Sequence, residues 1–245
     1  MGKFTTEQLA DRWYDLREVT NLAGKYVTIR LLKREGTIFD DFWSAEEDVC
    51  LTDNGGRYIG REAVAGYFAA VAEATRLKSL FLQKRFPEKL GACTEEELYG
   101  VGQLLSLPLT TPIVEIAGDG KTAKGIWNVQ GSDNDITASG PNSNWSIGYL
   151  CIDFIKEADD WKIWHLMYVE DIQCPMGESW VSPKAAPADP DFAELSAIRL
   201  PAYSQEGPFF AAYTKDRPFT PPPRLPVPYE TFRETFSYGA ERSGN

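Results

Sequence analysis

Two alternating runs joined by an acidic turn decide the fold of this chain: NWSIGYLCIDFIK at 144–156, EADD at 157–160 and WKIWHLMYVE at 161–170. Apolar and polar residues that alternate with a period of two are typical of a β-strand. A short polar segment between two such runs is typical of the turn of a hairpin. These residues therefore predict two long antiparallel strands.

A second pair of strands is predicted upstream of this hairpin. Residues 111–117 and 122–130 flank the turn GDGK at 118–121, which is a strong hairpin signal. The stretch between the two hairpins, 131–144, is polar and rich in glycine, so it is predicted to be a long surface loop.

The residues before the strands predict helices. Thr5 and Gln8 have the spacing of a capping box and open a first helix, and a second is expected from Val19 to about Arg34. A shorter helical turn at 37–43 and a helix that opens at Arg61 follow. Because helices come first and antiparallel strands later, the predicted fold class is α+β and not alternating βαβ.

Composition limits the classes of function. The 245 residues are 43% hydrophobic, which is enough for one sizeable core, and the formal net charge of −11 argues against binding to nucleic acid or to anionic membranes. The single His excludes sites that need two imidazoles from one chain. Four widely spaced cysteines fit a reducing compartment. With no apolar run of membrane-spanning length and no signal-peptide pattern, a soluble cytoplasmic protein is predicted.

The region from about Cys174 onward has a different amino-acid composition. It holds 12 of the 16 prolines together with eleven aromatic residues. Proline richness alone is typical of a flexible tail, but exposed aromatic side chains gain nothing in water. The prediction is therefore a domain at 1–172 and an extended arm at 173–245, laid over that domain or over a neighbouring subunit.

The alternation also assigns the faces of the sheet. In the run 161–170 the charges of Lys162 and Glu170 mark the even positions as outward, so the odd positions are predicted to face the core. The predicted inner face then holds Trp127, Trp161, His165 and Met167. The predicted outer face carries Tyr149, Trp164, Leu166 and Tyr168. Such an apolar outer face is expected to be covered by another subunit or by the arm.

His165 is the main candidate for chemistry, because imidazole titrates near neutral pH and can act as a general acid or base. The alternative is a buried neutral imidazole that is hydrogen-bonded to its surroundings. Tyr26 and Arg30 lie one helical turn apart and could reach the same cavity, although Tyr26 could equally be core and Arg30 an ion-pair partner. Tyr58, beside a Gly-Gly turn, is a weaker candidate that could simply pack.

Four segments together resemble the SnoaL-like branch of the nuclear transport factor 2-like superfamily: EVTNLAGKY at 18–26, DNGGRYIGREAV at 53–64, GDGKTAKGIW at 118–127 and DWKIWH at 160–165. The resemblance covers about residues 5–172. It implies a cone: a curved antiparallel sheet wrapped around the N-terminal helices, with a pocket on its concave side. Many relatives carry a Tyr and a His in the second helix, and this sequence keeps Tyr26 but has Ile29 and Arg30 in place of the His.

The long members with a Pro-rich arm resemble diarylpropane lyases, which release formaldehyde from lignin-derived aromatic compounds without a cofactor or metal. The resemblance thus implies a cofactor-independent lyase, at the level of overall shape. The hypothesis from the residues themselves is that His165 moves a proton and that Tyr26 and Arg30 orient the substrate or stabilise an oxyanion. The substrate-binding walls would be aromatic, formed by Trp43, Tyr58, Trp127 and Trp161. Alternatives are a hydratase, dehydratase or isomerase in the same pocket, or a non-catalytic subunit like the small subunit of a ring-hydroxylating dioxygenase.

The expected partners are an aromatic small molecule and other copies of the chain. A homo-oligomer, dimer or trimer, is predicted to form through the outer sheet face and the arm.

Overall fold

The computed structural model describes residues 4–240 apart from residues 182 and 185. The α-helices are α1 (Thr6–Leu31), α2 (Phe39–Phe42), α3 (Arg61–Arg85), α4 (Pro87–Leu90) and α5 (Glu95–Leu98). The strands are β1 (Cys50–Thr52), β2 (Gly56–Ile59), β3 (Leu104–Ser106), β4 (Leu109–Ile116), β5 (Thr122–Thr137), β6 (Gly140–Glu157), β7 (Asp160–Pro175) and β8 (Gln205–Glu206). Short 3₁₀ helices occupy Glu35–Ile38, Pro190–Ala197 and Phe232–Glu234.

Helix α1 begins at the predicted capping box. The Thr5 side chain accepts a hydrogen bond from the Gln8 amide, and the Gln8 side chain accepts one from the Thr5 amide. Two helices were predicted for this region, but α1 runs unbroken to Leu31, since Arg17 and Glu18 provide no break in the helical pattern. Val19, Ala23 and other residues on one side of α1 are buried against the sheet.

The eight strands form a curved, unclosed sheet in the order β3-β5-β6-β7-β1-β2-β8, with β4 also paired to β5. Every pairing is antiparallel except that of β1 with β7. Helices α1 and α3 pack on one side of this sheet, so the fold class is α+β with a sheet wrapped around N-terminal helices, as predicted.

The long polar loop predicted at 131–144 is wrong. Residues up to Thr137 continue β5, those from Gly140 begin β6, and the two strands stay in register to the hairpin tip. Polar side chains are tolerated in this part of the sheet because Asp133, Asp135 and Thr137 line a cavity and do not face a dry core.

The face prediction holds for β6 and fails for the second half of β7. Leu150 and Ile152 face the helices as predicted, whereas Cys151 faces the opposite side. In β7 the register shifts between Ile163 and His165, which makes Trp164 an extra residue, a β-bulge. The alternation is therefore reversed after the bulge.

Before the bulge, Trp161 and Ile163 face the helices, as predicted. After it, Leu166 and Tyr168 face the helices, while Met167 and Val169 face the other side. The prediction that His165 and Met167 point to the helix-packed core is therefore wrong, as is the prediction that Leu166 and Tyr168 point outward.

The residues after Cys174 follow an extended path along the domain. Residues 190–197 pack on α3, where the rings of Phe192 and Phe81 lie 5.3 Å apart. Strand β8 pairs with β2, and the segment that holds Phe232, Phe236 and Tyr238 covers the side of the sheet that faces away from the helices. We refer to that side as the arm-facing side and to the other as the helix-facing side.

Candidate functional site

A cavity of about 440 Å³ lies on the helix-facing side of the sheet. This volume falls within the range of small-molecule sites. Its walls come from α1, α3, strands β5 to β7 and the arm, which contributes Leu195, Ile198 and Leu200. The charged groups that line it are Arg30, Lys33, Lys78, Asp53, Asp133, Asp135 and Glu170.

Glu170 on β7 is hydrogen-bonded within the cavity. Its Oε1 accepts a short hydrogen bond from the Ser146 hydroxyl, and the Tyr168 hydroxyl lies 3.4 Å from the same oxygen. Burial raises the pKa of Glu170 above its usual range, whereas the hydrogen bond from Ser146 opposes the shift. The negative charge of Asp133 raises this pKa further, and the Arg30 guanidinium lowers it.

Asp133 on β5 is the second carboxyl group of the site. Burial raises its pKa, while the positive charges of Lys33, Lys78 and Arg30 act in the opposite direction. Its Oδ1 atom is buried and has no hydrogen-bond partner among the described residues. A buried polar atom of this kind carries a desolvation cost unless a ligand or water pairs with it.

The two lysines of the cavity form ion pairs with a third carboxyl group, that of Asp135. Lys78 and Lys33 both pair with Asp135, at 2.5 Å and 4.0 Å between ammonium nitrogen and carboxylate oxygen. The Arg30 guanidinium lies 5.7 Å from the centre of the Tyr168 ring. The cavity therefore combines proton-holding carboxyl groups with positive charge that can stabilise an anion. In the described part of the chain, no group of three or more His, Cys, Asp or Glu side chains is arranged to hold a metal ion.

His165 does not line this cavity. It lies on the arm-facing side, where its Nδ1 is 2.9 Å from Asp153 Oδ2 and 3.1 Å from the Ser237 hydroxyl. Its ring stacks on Trp164, with centroids 4.4 Å apart, and the side chain is almost fully buried. The surroundings match the alternative considered for this residue, a buried imidazole with satisfied hydrogen bonds. Although Ser, His and Asp meet here, Ser237 and Asp153 contact the same ring nitrogen, so the arrangement is not that of a catalytic triad.

Of the other residues predicted for catalysis, Arg30 lines the cavity and Tyr26 does not. Tyr26 is buried in the core, with its ring in edge-to-face contact with Trp43 at 6.5 Å. The structure therefore brings Arg30 to the cavity without the two predicted partners, His165 and Tyr26.

The predicted aromatic walls are parts of the packed core. Trp43 stacks on Phe39, Trp127 packs against Phe154, and the Trp161 indole donates a hydrogen bond to Asp15. Tyr58 stacks between the rings of Tyr67 and Tyr203, and its hydroxyl donates to the carbonyl of Pro201. None of these four predicted residues lines the cavity.

Sequence reasoning missed the residues that do carry charge and hydroxyl groups into the cavity, namely Asp133, Ser146, Tyr168 and Glu170. The pattern Asp133-x-Asp135-x-Thr137 has the period of a strand, and it was the available signal that these polar residues share one face. Glu170 was assigned to the outside because the bulge at Trp164 was not anticipated.

Comparisons with known proteins concern the fold. No protein-family model matches the sequence, and no curated protein matches it either. In the described residues, no helix has the length and apolar character needed to cross a membrane.

Several solved structures are similar to part of the chain. The hexachlorocyclohexane dehydrochlorinase LinA-type3 from Novosphingobium barchaimii LL02 is 16% identical over 71% of this chain and 99% of its own, with a TM-score of 0.49. An NTF2-like protein with a cystatin-like fold from Novosphingobium aromaticivorans is 16% identical over 69% and 92%, with a TM-score of 0.42. An NTF2-like superfamily protein from Salmonella enterica is 13% identical over 69% and 99%, with a TM-score of 0.45.

These likenesses cover about 70% of the chain and leave the activity of the protein open.

Proposed function

We propose that the chain is a cofactor-independent acid–base enzyme, a lyase, whose aromatic small-molecule substrate binds in the helix-facing cavity. The observation that carries the proposal is the pair of partly buried carboxyl groups, Glu170 and Asp133, which line one cavity and both have a raised pKa. Perturbed carboxyl groups in a cavity are typical of acid–base sites, since one can hold a proton near neutral pH while the other accepts one.

The two groups differ in a way that assigns their roles. Glu170 is desolvated, and the negative charge of Asp133 favours its protonated form, so it acts as the acid. Asp133 has an unpaired buried oxygen and is surrounded by Arg30, Lys33 and Lys78, so it acts as the base. The Arg30 guanidinium stabilises the alkoxide that develops on the substrate.

The specific reaction we propose is a deformylation, on a substrate with a primary hydroxyl group and a benzylic hydroxyl group two carbons away. Asp133 removes the proton of the primary hydroxyl, and the carbon–carbon bond to that carbon breaks to give formaldehyde. The electron pair of the broken bond forms the new carbon–carbon double bond. The benzylic hydroxide that it expels leaves as water with the proton of Glu170. Exchange of one proton with solvent then restores both carboxyl groups.

The test is turnover without added cofactor, measured by absorbance on lignin-type aromatic dimers and plant phenolics, for the wild type and for Glu170→Gln. Gln keeps the shape of the side chain but cannot donate the proton, so we expect turnover to fall by about two or more powers of ten. The matched control is Glu178→Gln, an exposed residue just beyond β7, which should leave turnover unchanged. Wild-type turnover in a folded Glu170→Gln variant would contradict the proposal.

Product analysis separates the proposed reaction from its alternatives. Formaldehyde appears only in the deformylation, whereas a hydratase, dehydratase or isomerase in the same cavity converts the substrate without releasing it. Binding of aromatic compounds with no turnover on any of them would instead indicate a non-catalytic binding module.

A further inference from the structure

We infer that Asn54 is a positioning residue that fixes the direction of the Glu170 side chain within the cavity. Asn54 does not line the cavity itself. It lies in the turn between β1 and β2, and it acts on Glu170 through the backbone of β7. The inference rests on the role proposed for Glu170, which it extends to a residue outside the site.

The side-chain amide of Asn54 makes two hydrogen bonds to the backbone of Glu170. Its Nδ2 donates to the Glu170 carbonyl at 2.8 Å, and its Oδ1 accepts from the Glu170 amide at 2.7 Å. Strand β1 pairs with β7 in parallel only as far as Thr52, which lies opposite Met167. Beyond that point the Asn54 amide group stands in for a neighbouring strand, because it offers a donor and an acceptor as a peptide group does.

On its other edge, β7 pairs with β6, and this pairing is irregular next to Glu170. Between Glu170 and Ile172 the register with β6 shifts, so that Asp171 is an extra residue opposite Gly148. A Cβ atom on Gly148 would lie 2.0 Å from the Val169 carbonyl oxygen, so the approach of the two strands allows only glycine. A bulge weakens the ladder and redirects side chains, and the Asn54 hydrogen bonds hold the backbone on the opposite edge.

Asn54 is itself fixed in place. Asp53 Oδ1 accepts hydrogen bonds from the amides of Gly55 and Gly56, which tightens the turn. The Tyr203 hydroxyl of the arm donates to the Asp53 carboxylate, at 2.9 Å for the nearer oxygen, and the Phe209 amide donates to the Asn54 carbonyl at 3.0 Å. The turn is therefore a rigid support, anchored from one side by the arm and acting from the other on Glu170.

The consequence concerns the surroundings of the carboxyl group. Glu170 faces Ser146 and Tyr168 as hydrogen-bond partners and Asp133 and Arg30 as charges. Burial is the largest cause of its raised pKa, so a backbone that is free to move at this point admits water and lowers the pKa toward its ordinary value. Asn54→Ala should produce this change without touching the cavity wall.

The first experiment needs no substrate. Glutamate labelled with ¹³C at Cδ is titrated by NMR in the full chain, and the Glu170 signal is identified by its loss in Glu170→Gln. We expect the Glu170 midpoint to lie lower in Asn54→Ala than in the wild type by about half a pH unit or more. The matched control is Asn128→Ala, which removes a side-chain hydrogen bond to the Thr111 hydroxyl on the same sheet, away from the cavity, and should leave the midpoint unchanged.

An unchanged midpoint in folded Asn54→Ala would overturn the inference. If that variant does not fold, Asn54→Ser is used, because its hydroxyl can keep one of the two hydrogen bonds, and a smaller shift in the same direction is expected.

The second experiment is a double-mutant cycle on turnover. Asn54→Ala should lower kcat by about tenfold with KM little changed, and it should have no further effect when Glu170 is already Gln. Equal kcat losses in the presence and absence of Glu170 would show a role unrelated to that residue, contrary to the inference.

The two proposals fail separately. Normal turnover in Glu170→Gln together with a shifted midpoint in Asn54→Ala would remove the function and keep the positioning role. Loss of turnover in Glu170→Gln with an unchanged midpoint in Asn54→Ala would do the reverse.

Discussion

Strand β7 presents titratable side chains to both sides of the sheet, His165 on the arm-facing side and Glu170 on the helix-facing side, and their surroundings differ in how the polar atoms are paired. On the arm-facing side, the ammonium of Lys124 lies 2.5 Å from Asp153, whose other oxygen accepts hydrogen bonds from the Tyr238 amide and Ser237 and contacts His165. On the helix-facing side, Glu170 and Asp133 border an open cavity, and one Asp133 oxygen has no partner among the described residues.

The difference separates a structural polar cluster from a functional one. Both oxygens of Asp153 are paired, and the ammonium of Lys124 is further surrounded by arm rings, with the centres of Phe232 and Phe236 at 4.4 and 4.5 Å. The carboxylate oxygens of this cluster are therefore already occupied by protein donors. The cavity cluster has an unpaired Asp133 oxygen beside open space, and it carries the raised pKa values that go with incomplete compensation for burial. Burial of a charged group alone is thus a poor indication of a functional site. An unpaired polar atom that borders a cavity is a better indication.

The largest effect is expected from breaking the arm-facing cluster at Asp153. Asp153→Ala leaves the fully buried Lys124 ammonium without its carboxylate, and removal of one partner of a buried ion pair costs about 3–5 kcal/mol in the free energy of unfolding. Urea denaturation measures the loss. The control is Asp160→Ala, an exposed residue that should change stability by less than about 0.5 kcal/mol.

The double variant Lys124→Met/Asp153→Leu sharpens this prediction. Because it removes both charges, it should be more stable than Asp153→Ala. A loss of less than about 1 kcal/mol in Asp153→Ala would show that the cluster is not held by its charge pairing.

At Asp133 in the cavity, removal of the charge is expected to increase the free energy of unfolding, which is the opposite of the effect at Asp153. Burial raises the pKa of Asp133 in the folded state, so its contribution to stability falls as the pH rises from the unfolded to the folded pKa, above which the folded chain bears the full cost of the ionised carboxyl. Wild-type stability should therefore increase as the pH falls through the folded pKa. Asp133→Asn should show a weaker dependence, because only Glu170 then contributes to it, and should gain about 1 kcal/mol at pH 7 while losing turnover.

Thermal unfolding as a function of pH measures both quantities. Asp159→Asn, in the exposed turn between β6 and β7, is the matched control and should show neither change. A destabilised Asp133→Asn variant would indicate that its carboxylate is a net structural contributor, like Asp153.

The architecture could be predicted from the sequence because its signals are local and repeated. The alternation in β6 assigns Leu150, Ile152 and Phe154 to the core, and the structure buries all three against the helices. The Thr5 capping box marks the start of α1 in the same direct way. In each case several neighbouring residues give the same indication, so one ambiguous position does not change the predicted element.

The site could not be predicted because it depends on single irregularities. One extra residue at Trp164 reverses the faces of the residues that follow it up to Glu170, and Trp164 is apolar enough to fit either face. This moves His165 under the arm and Glu170 into the cavity. The polar residues around Asp133 were interpreted as a loop because a strand that faces a polar cavity has the composition of a loop.

The smallest effect is expected at His165, which is the leading catalytic candidate on sequence grounds. His165→Gln should keep turnover within about twofold of the wild type, because the ring lies outside the cavity, and the amide of Gln can still donate to Asp153. It should cost about 1 kcal/mol of stability, since the stacking on Trp164 and the tilted ring contact with Phe232 are lost. Parallel measurement of kcat and of urea unfolding checks both. A hundredfold loss of kcat in a fully folded His165→Gln variant would place the reaction on the arm-facing side, and the assignment of acid and base to Glu170 and Asp133 would be wrong.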